Sequence, residues 1–129
     1  MDDRRCFSQE TVGEWLVVTR AKAKSNFILS DIEELFSLDT PSGKPWARLI
    51  FLGGMTGVSK DARYYFKTVK NSPGLCCAAI ISRSPIANVF GNYFLSLNAT
   101  AYPRKLFDSE DMAMEWIKVM IADARATNV

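Results

Sequence analysis

Short apolar runs alternate along this chain with stretches in which apolar residues recur at the 3.6-residue period of a helix. The two longest runs, residues 46–52 and Leu75–Ile81, are almost wholly apolar. Runs of this kind are typical of strands covered on both faces of a parallel sheet. Two further strands are predicted at residues 13–19 and, as a sheet edge, at Arg104–Phe107. The order of the elements predicts a layered α/β domain.

Helical patterns follow most of these runs. Ser30 and Glu33 have the three-residue spacing of a capping box, so a short helix is predicted to begin at Ser30, after a short strand at residues 26–29. A second helix is predicted to begin near Ser59 and a third to extend from Ser84 to residue 97.

The clearest helical period lies near the C-terminus, in a helix that Asp108 or Ser109 is predicted to cap. Its inward stripe is Ala113, Trp116, Ile117, Met120, Ile121 and Ala124. Residues 1–11 show no period and are predicted to form a flexible N-terminal arm, so that the domain covers residues 12–124.

Composition removes several classes of function. The 129 residues, 48% of them hydrophobic, suit one compact domain. Sixteen basic and fourteen acidic residues leave a net charge of +2, which argues against nucleic acid as a partner. The chain has no histidine, which excludes Ser-His-Asp and Cys-His catalysis and imidazole metal ligation. We expect no enzyme activity.

The cysteines and the apolar runs indicate a location. Cys6, Cys76 and Cys77 do not have zinc-site spacing, and neighbours in a strand point to opposite faces, so thiols in a reducing cytoplasm are predicted, with no metal or other cofactor. The charged N-terminus lacks the apolar core of a secretory leader. Leu75–Ile81 is far shorter than the roughly 20 residues of a transmembrane helix.

A basic stripe is the first candidate for partner binding. Lys60, Arg63, Lys67 and Lys70 recur at helical spacing, with Tyr64 beside them. The stripe is interpreted either as a solvated helix face or as a docking surface for an acidic protein.

The predicted helix at residues 84–97 is the second candidate, because it is apolar around most of its circumference. Ala87, Gly91 and Leu95 form a smooth strip on its second face. Three alternatives are expected for what covers this strip: other residues of the same chain, a second subunit in a homodimer, or an apolar ligand.

Two loops could hold a small anion. Ser82, Arg83 and Ser84 place two hydroxyls, a guanidinium and free amides at a predicted helix start, which makes them a candidate anion site. The glycine-rich turn at residues 53–57 lacks the spacing of nucleotide-binding loops and is interpreted as a tight turn, with phosphate binding as the alternative.

The order of these motifs resembles the STAS superfamily, which includes anti-sigma-factor antagonists and the tails of sulfate transporters. The resemblance rests on the strand at residues 46–52, the Gly54-Met-Thr-Gly-Val58 turn and the helix from Ser59. The stretch Ser84-Pro-Ile-Ala-Asn-Val-Phe-Gly-Asn-Tyr-Phe-Leu95 is similar to uncharacterised bacterial SpoIIAA-like proteins.

This resemblance implies a single-domain STAS/SpoIIAA-like fold, with a four- to five-stranded, mostly parallel sheet and helices packed mainly on one side. It also implies a cytoplasmic regulatory module that binds a protein partner and uses no cofactor. A carrier of a small anion or a lipid is the alternative, with Ser82–Ser84 as the head-group site.

The resemblance has one departure. Phosphoregulated antagonists carry Asp-Ser-Ser-Gly at this helix start, whereas this chain has Ser59-Lys-Asp-Ala62, with lysine in the place of the phosphorylated serine. Ser59 still places a hydroxyl where a phosphate is favourable, and helix capping accounts for it equally.

Replacing Gly91 tests the strip on the predicted helix at residues 84–97. If the strip is an interface, Gly91→Leu is expected to abolish dimerisation or ligand retention by steric clash while the monomer still folds. Sedimentation velocity and mass spectrometry of extracted ligand measure the two outcomes. A monomeric, ligand-free wild type would contradict both, and packing within the chain would then explain the strip.

Overall fold

The computed structural model describes residues 7–22, 24, 26–37, 45–53, 57–62, 64, 74–82 and 103–127. In chain order their elements are β1 (Phe7–Val12), β2 (Leu16–Ala21), β3 (Asn26–Phe27), α1 (Leu29–Ser37), β4 (Trp46–Phe51), β5 (Gly57–Val58), β6 (Leu75–Ile81), β7 (Arg104–Phe107) and α2 (Glu110–Thr127).

Five strands form the main sheet in the order β1-β2-β4-β6-β7. Strand β1 is antiparallel to β2, and the other neighbours are parallel. Strands β3 and β5 pair in a small parallel sheet of their own. The predicted fold class, a mostly parallel sheet of four to five strands, is confirmed.

Both long apolar runs form strands of the main sheet, as their pattern predicts. Strand β4 fills most of the run at residues 46–52, and β6 coincides with Leu75–Ile81. The edge strand at Arg104–Phe107 is also confirmed. The strand predicted at residues 13–19 begins later, because residues 13–15 form a turn in which Gly13 has a φ of 64°.

The prediction of a flexible N-terminal arm is wrong. Residues 7–11, which the pattern assigns to a flexible arm, form most of β1. Phe7 is 1% exposed and stacks on Phe27 with ring centroids 6.0 Å apart. The strand has no apolar alternation because it lies at the sheet edge, where its remaining side chains are exposed or half-buried.

Helix α2 packs on one face of the sheet, as its stripe predicts. Ala113, Ile117 and Ile121 are buried against apolar residues of the inner strands, and Trp116 and Met120 are partly buried. Ser109 caps the helix, since its Oγ accepts a hydrogen bond from the Met112 N–H at 3.4 Å. The face beneath α2 consists of Leu16, Val18, Ala47, Leu49, Cys77, Ala79 and Ile81.

The first helix begins differently from the prediction. Helix α1 starts at Leu29, and Asp31 Oδ2 accepts a hydrogen bond from the Ile28 N–H at 2.9 Å. The returning carboxylate of the cap is therefore Asp31, and the box predicted from Ser30 and Glu33 is wrong in register. Ser30 already lies in the first turn.

A charged side chain lies at the centre of the opposite face. Arg48 of β4 is 4% exposed, and its Nη1 donates to Gln9 Oε1 at 2.7 Å and to Thr19 Oγ1 at 3.1 Å. The Thr19 hydroxyl donates to the same Gln9 oxygen at 2.7 Å. The guanidinium carbon lies 5.3 Å from the Trp46 ring centroid. This network joins β1, β2 and β4 through their side chains.

Removing Gln9 tests the contribution of this network. Gln9→Ala deletes an acceptor for the buried guanidinium and is expected to lower the free energy of unfolding by about 1.5–3 kcal/mol. The neighbouring Glu10 is exposed, so the control Glu10→Ala should change it by less than about 0.5 kcal/mol. Urea denaturation measures both. Equal, small changes would show that the network does not stabilise the fold.

Candidate protein-binding site

Ser59 begins a helical turn at the end of β5. Its N–H donates to Phe27 O at 2.8 Å, which ties this turn to β3. Its Oγ accepts a hydrogen bond from the Ala62 N–H at 3.3 Å, the geometry of an N-cap. The capping role predicted for Ser59 is therefore confirmed.

Asp61 takes part in the same cap. Its Oδ1 accepts the Ala62 N–H at 2.9 Å and also accepts the Ser59 hydroxyl. A phosphate on Ser59 would remove this hydroxyl donor and place its charge beside the carboxylate. The local contacts therefore favour a capping role for Ser59 over a phosphorylation switch.

Two large apolar side chains are exposed beside this cap. Ile28, which follows β3, is 49% exposed, and Tyr64 is 68% exposed. Pairing of β3 with β5 and the bond from Ser59 to Phe27 O place Ile28 next to the helix start. Lys60 is exposed and lies four residues before Tyr64, on the same side of a helix. We call Ile28, Ser59, Lys60 and Tyr64 the β3–β5 corner.

The structure describes part of the predicted site. Ser59 and Lys60 lie together at the β3–β5 corner, and Ser82 directly follows β6. The other predicted site residues lie outside the described residues: Arg63, Lys67, Arg83, Ser84, Ala87, Gly91 and Leu95. The sequence analysis did not predict Ile28 as a site residue, because an apolar residue at the end of a predicted strand is expected to be buried in the core.

Ser82 is almost completely buried, at 4% exposure. Its N–H donates to Phe107 O at 3.0 Å. Its Oγ has no hydrogen-bond partner among the described residues. An unsatisfied buried hydroxyl of this kind is uncommon in folded proteins.

The turn after β4 has a steric explanation. Gly53 has a φ of 52°, and a Cβ at this position would lie 3.2 Å from Ala21 O. Glycine suits this left-handed backbone conformation and the close approach of the Ala21 carbonyl. Residues 54–56 of the predicted tight turn lie outside the described residues.

The cysteines in the described ranges are structural. Cys76 is half-buried and Cys77 buried, and both are free. Burial raises the pKa of both thiols, so they stay protonated at neutral pH. No cluster of metal-ligating side chains occurs in the part of the chain that the structure describes. Within those same ranges, neither helix is long and apolar enough to cross a bilayer.

The five-stranded, mostly parallel sheet with its helices is a SpoIIAA-like fold. The crystal structure of an uncharacterised protein from the DUF3478 family, from Shewanella loihica PV-4 and with a SpoIIAA-like fold, matches it with a TM-score of 0.56. The match covers 86% of this chain and 91% of that chain at 18% sequence identity. It confirms the fold that the resemblance implied.

The sequence itself identifies a family. Residues 17–121 match DUF7793, a domain of unknown function, so the chain belongs to the DUF7793 family. No curated protein matches the sequence. Strand β1 precedes the matched region.

The Ser59 cap yields a prediction for two substitutions. Ser59→Ala is expected to cost less than about 1 kcal/mol of stability, because Asp61 still accepts the Ala62 N–H. Ser59→Asp is expected to cost more, because its carboxylate would lie against Asp61. In an Asp61→Asn background, Ser59→Asp should cost less stability than Ser59→Ala, since aspartate caps a helix as well as serine does. Urea denaturation of the four variants measures this, and a stable Ser59→Asp in both backgrounds would contradict it.

Proposed function

We propose that this DUF7793 protein is a non-enzymatic binding module that acts through protein–protein interaction, with the β3–β5 corner as its docking surface. The observation that carries the proposal is the exposure of Ile28 and Tyr64 near a helix start that is already capped.

The composition of the corner suits a protein interface. Tyrosine combines a large apolar surface with a hydroxyl and is enriched among the residues that dominate binding energy. Ile28 adds apolar area, and Lys60 adds a charge that steers an acidic partner. The corner therefore offers an apolar centre with a charged rim.

The polar groups at this helix start, Ser59 of the corner and the neighbouring Asp61, support binding rather than catalysis. The Ser59 hydroxyl and the Asp61 carboxylate bond to each other and to the Ala62 amide. An activated nucleophile needs a nearby base that is free to take its proton. Here the carboxylate is occupied in holding the helix start.

The other exposed apolar side chains in the described ranges lie elsewhere. Val12 ends the edge strand β1, while Met112 and Val119 lie on α2. Val119 is 60% exposed and provides a matched control for Tyr64, because it is a similarly exposed apolar residue on a helix.

Site-specific photo-crosslinking tests the proposal. A benzophenone amino acid replaces Tyr64 or, as the control, Val119, and the protein is irradiated in its native cells. We expect a discrete crosslinked protein only with the probe at position 64. That protein is identified by mass spectrometry and purified.

Calorimetry with the purified partner completes the test. Tyr64→Ala and Ile28→Ser should each weaken binding about tenfold or more, while Val119→Ser should leave the Kd unchanged. Circular dichroism verifies that each variant is folded. An unchanged Kd for both corner variants would refute the docking surface.

A further inference from the structure

We propose that two copies of this chain pair through their β1 strands, antiparallel and related by a two-fold axis, so that two five-stranded sheets join into one. Strand β1 has β2 on one side and, within the described ranges, no strand on the other. This surface is separate from the β3–β5 corner, so the proposal does not rest on the proposed function.

The two edges of the main sheet differ in their protection against pairing. Strand β7 has four residues and carries two cations, Arg104 and Lys105, and both short length and charge keep an edge strand from pairing with another chain. Strand β1 has six residues in an uninterrupted register with β2, and it contains no proline, lysine or arginine. An edge of this kind is a template for a further strand.

The geometry of a sheet limits how two copies of β1 can pair. Successive side chains point to opposite faces, so each face continues across the interface only when the two-fold axis is centred on a residue. The middle of β1 offers two such centres. An axis at Glu10 places two carboxylates directly opposite each other, which is destabilising. An axis at Gln9 instead places Ser8 opposite Glu10 of the second copy.

The charges of the strand select a second copy as the partner. Ser8 pairs with the exposed Arg20 on β2, whereas Glu10 pairs with the apolar Val18. One row of side chains is therefore positive and the next but one is negative. A two-fold axis at Gln9 brings the first row of each copy against the second row of the other. The Ser8 hydroxyl then donates to the Glu10 carboxylate of the second copy, and this pair forms twice.

The residue at the axis is already held in place within one chain. Gln9 Oε1 accepts hydrogen bonds from Arg48 Nη1 and from the Thr19 hydroxyl, each at 2.7 Å. These bonds fix the middle of β1 against the sheet before a second copy arrives. A preorganised strand loses less conformational entropy on pairing, which favours association.

Sedimentation velocity and hydrogen exchange of the purified wild type provide the first measurement. We expect a dimer that dissociates on dilution, and amide exchange in a peptide covering residues 7–12 that slows as the dimer forms. A monomer throughout the dilution series would overturn the proposal. A dimer that leaves the exchange of this peptide unchanged would place the interface elsewhere and would also overturn it.

Substitutions of Ser8 test the charge pairing in both directions. Ser8→Glu places like charges opposite each other twice and should raise the dimer Kd about tenfold, whereas Ser8→Lys should lower it by a similar factor. The control Ser30→Glu makes the same change at an exposed position on α1 and should leave the Kd unchanged. Equal effects of Ser8→Glu and Ser30→Glu would indicate general repulsion and would contradict the proposed interface.

Exchanging the two residues tests the register. The double variant Ser8→Glu/Glu10→Ser again places a serine opposite a glutamate, so its dimer Kd should return to near the wild-type value. In the register centred on Glu10, position 8 faces Val12 of the second copy, and the exchange would restore no pair.

Circular dichroism verifies that each variant is folded. A double variant as weak as Ser8→Glu alone would overturn the register centred on Gln9. Failure of these tests would leave the β3–β5 corner unaffected, because none of its residues lies on β1.

Discussion

A single buried charge links three neighbouring strands of the sheet. Arg48 lies in the middle of β4 at 4% exposure, and a guanidinium in this position is costly unless oxygen atoms surround it. Gln9 on the edge strand and Thr19 on β2 supply two of these oxygens. The antiparallel strand β1 therefore completes the solvation of a cation in the core, although it precedes the region that matches the family at residues 17–121.

The two faces of the sheet have different roles. Beneath α2 the face is wholly apolar and close-packed, so it supplies hydrophobic stabilisation. The opposite face carries Arg48, Thr19 and Ser82 among buried apolar residues. The polar groups around Arg48 join β1, β2 and β4 through side-chain hydrogen bonds on this face.

The β3–β5 corner depends on the fold in another way. Two strands of two residues each have little stability alone, and here one of them is held by the stacking of Phe27 on Phe7 of β1. The Ser59 N–H then bonds to Phe27 O and fixes the helix start. Ile28 and Tyr64 are exposed near this helix start. In our proposal, anchoring the docking surface in this way lowers the entropy lost on binding a partner.

The sequence by itself determined the strands β4 and β6 and the inward stripe of α2, because burial on two faces or on one helix face leaves a period that local sequence displays. It also determined the Ser59 cap, whose partners lie within three residues. Only the tertiary structure decided that residues 7–12 form a strand. Gln9 and Arg48 are 39 residues apart, and no local pattern records a hydrogen bond at that separation. Their burial exists only once β2 lies between them.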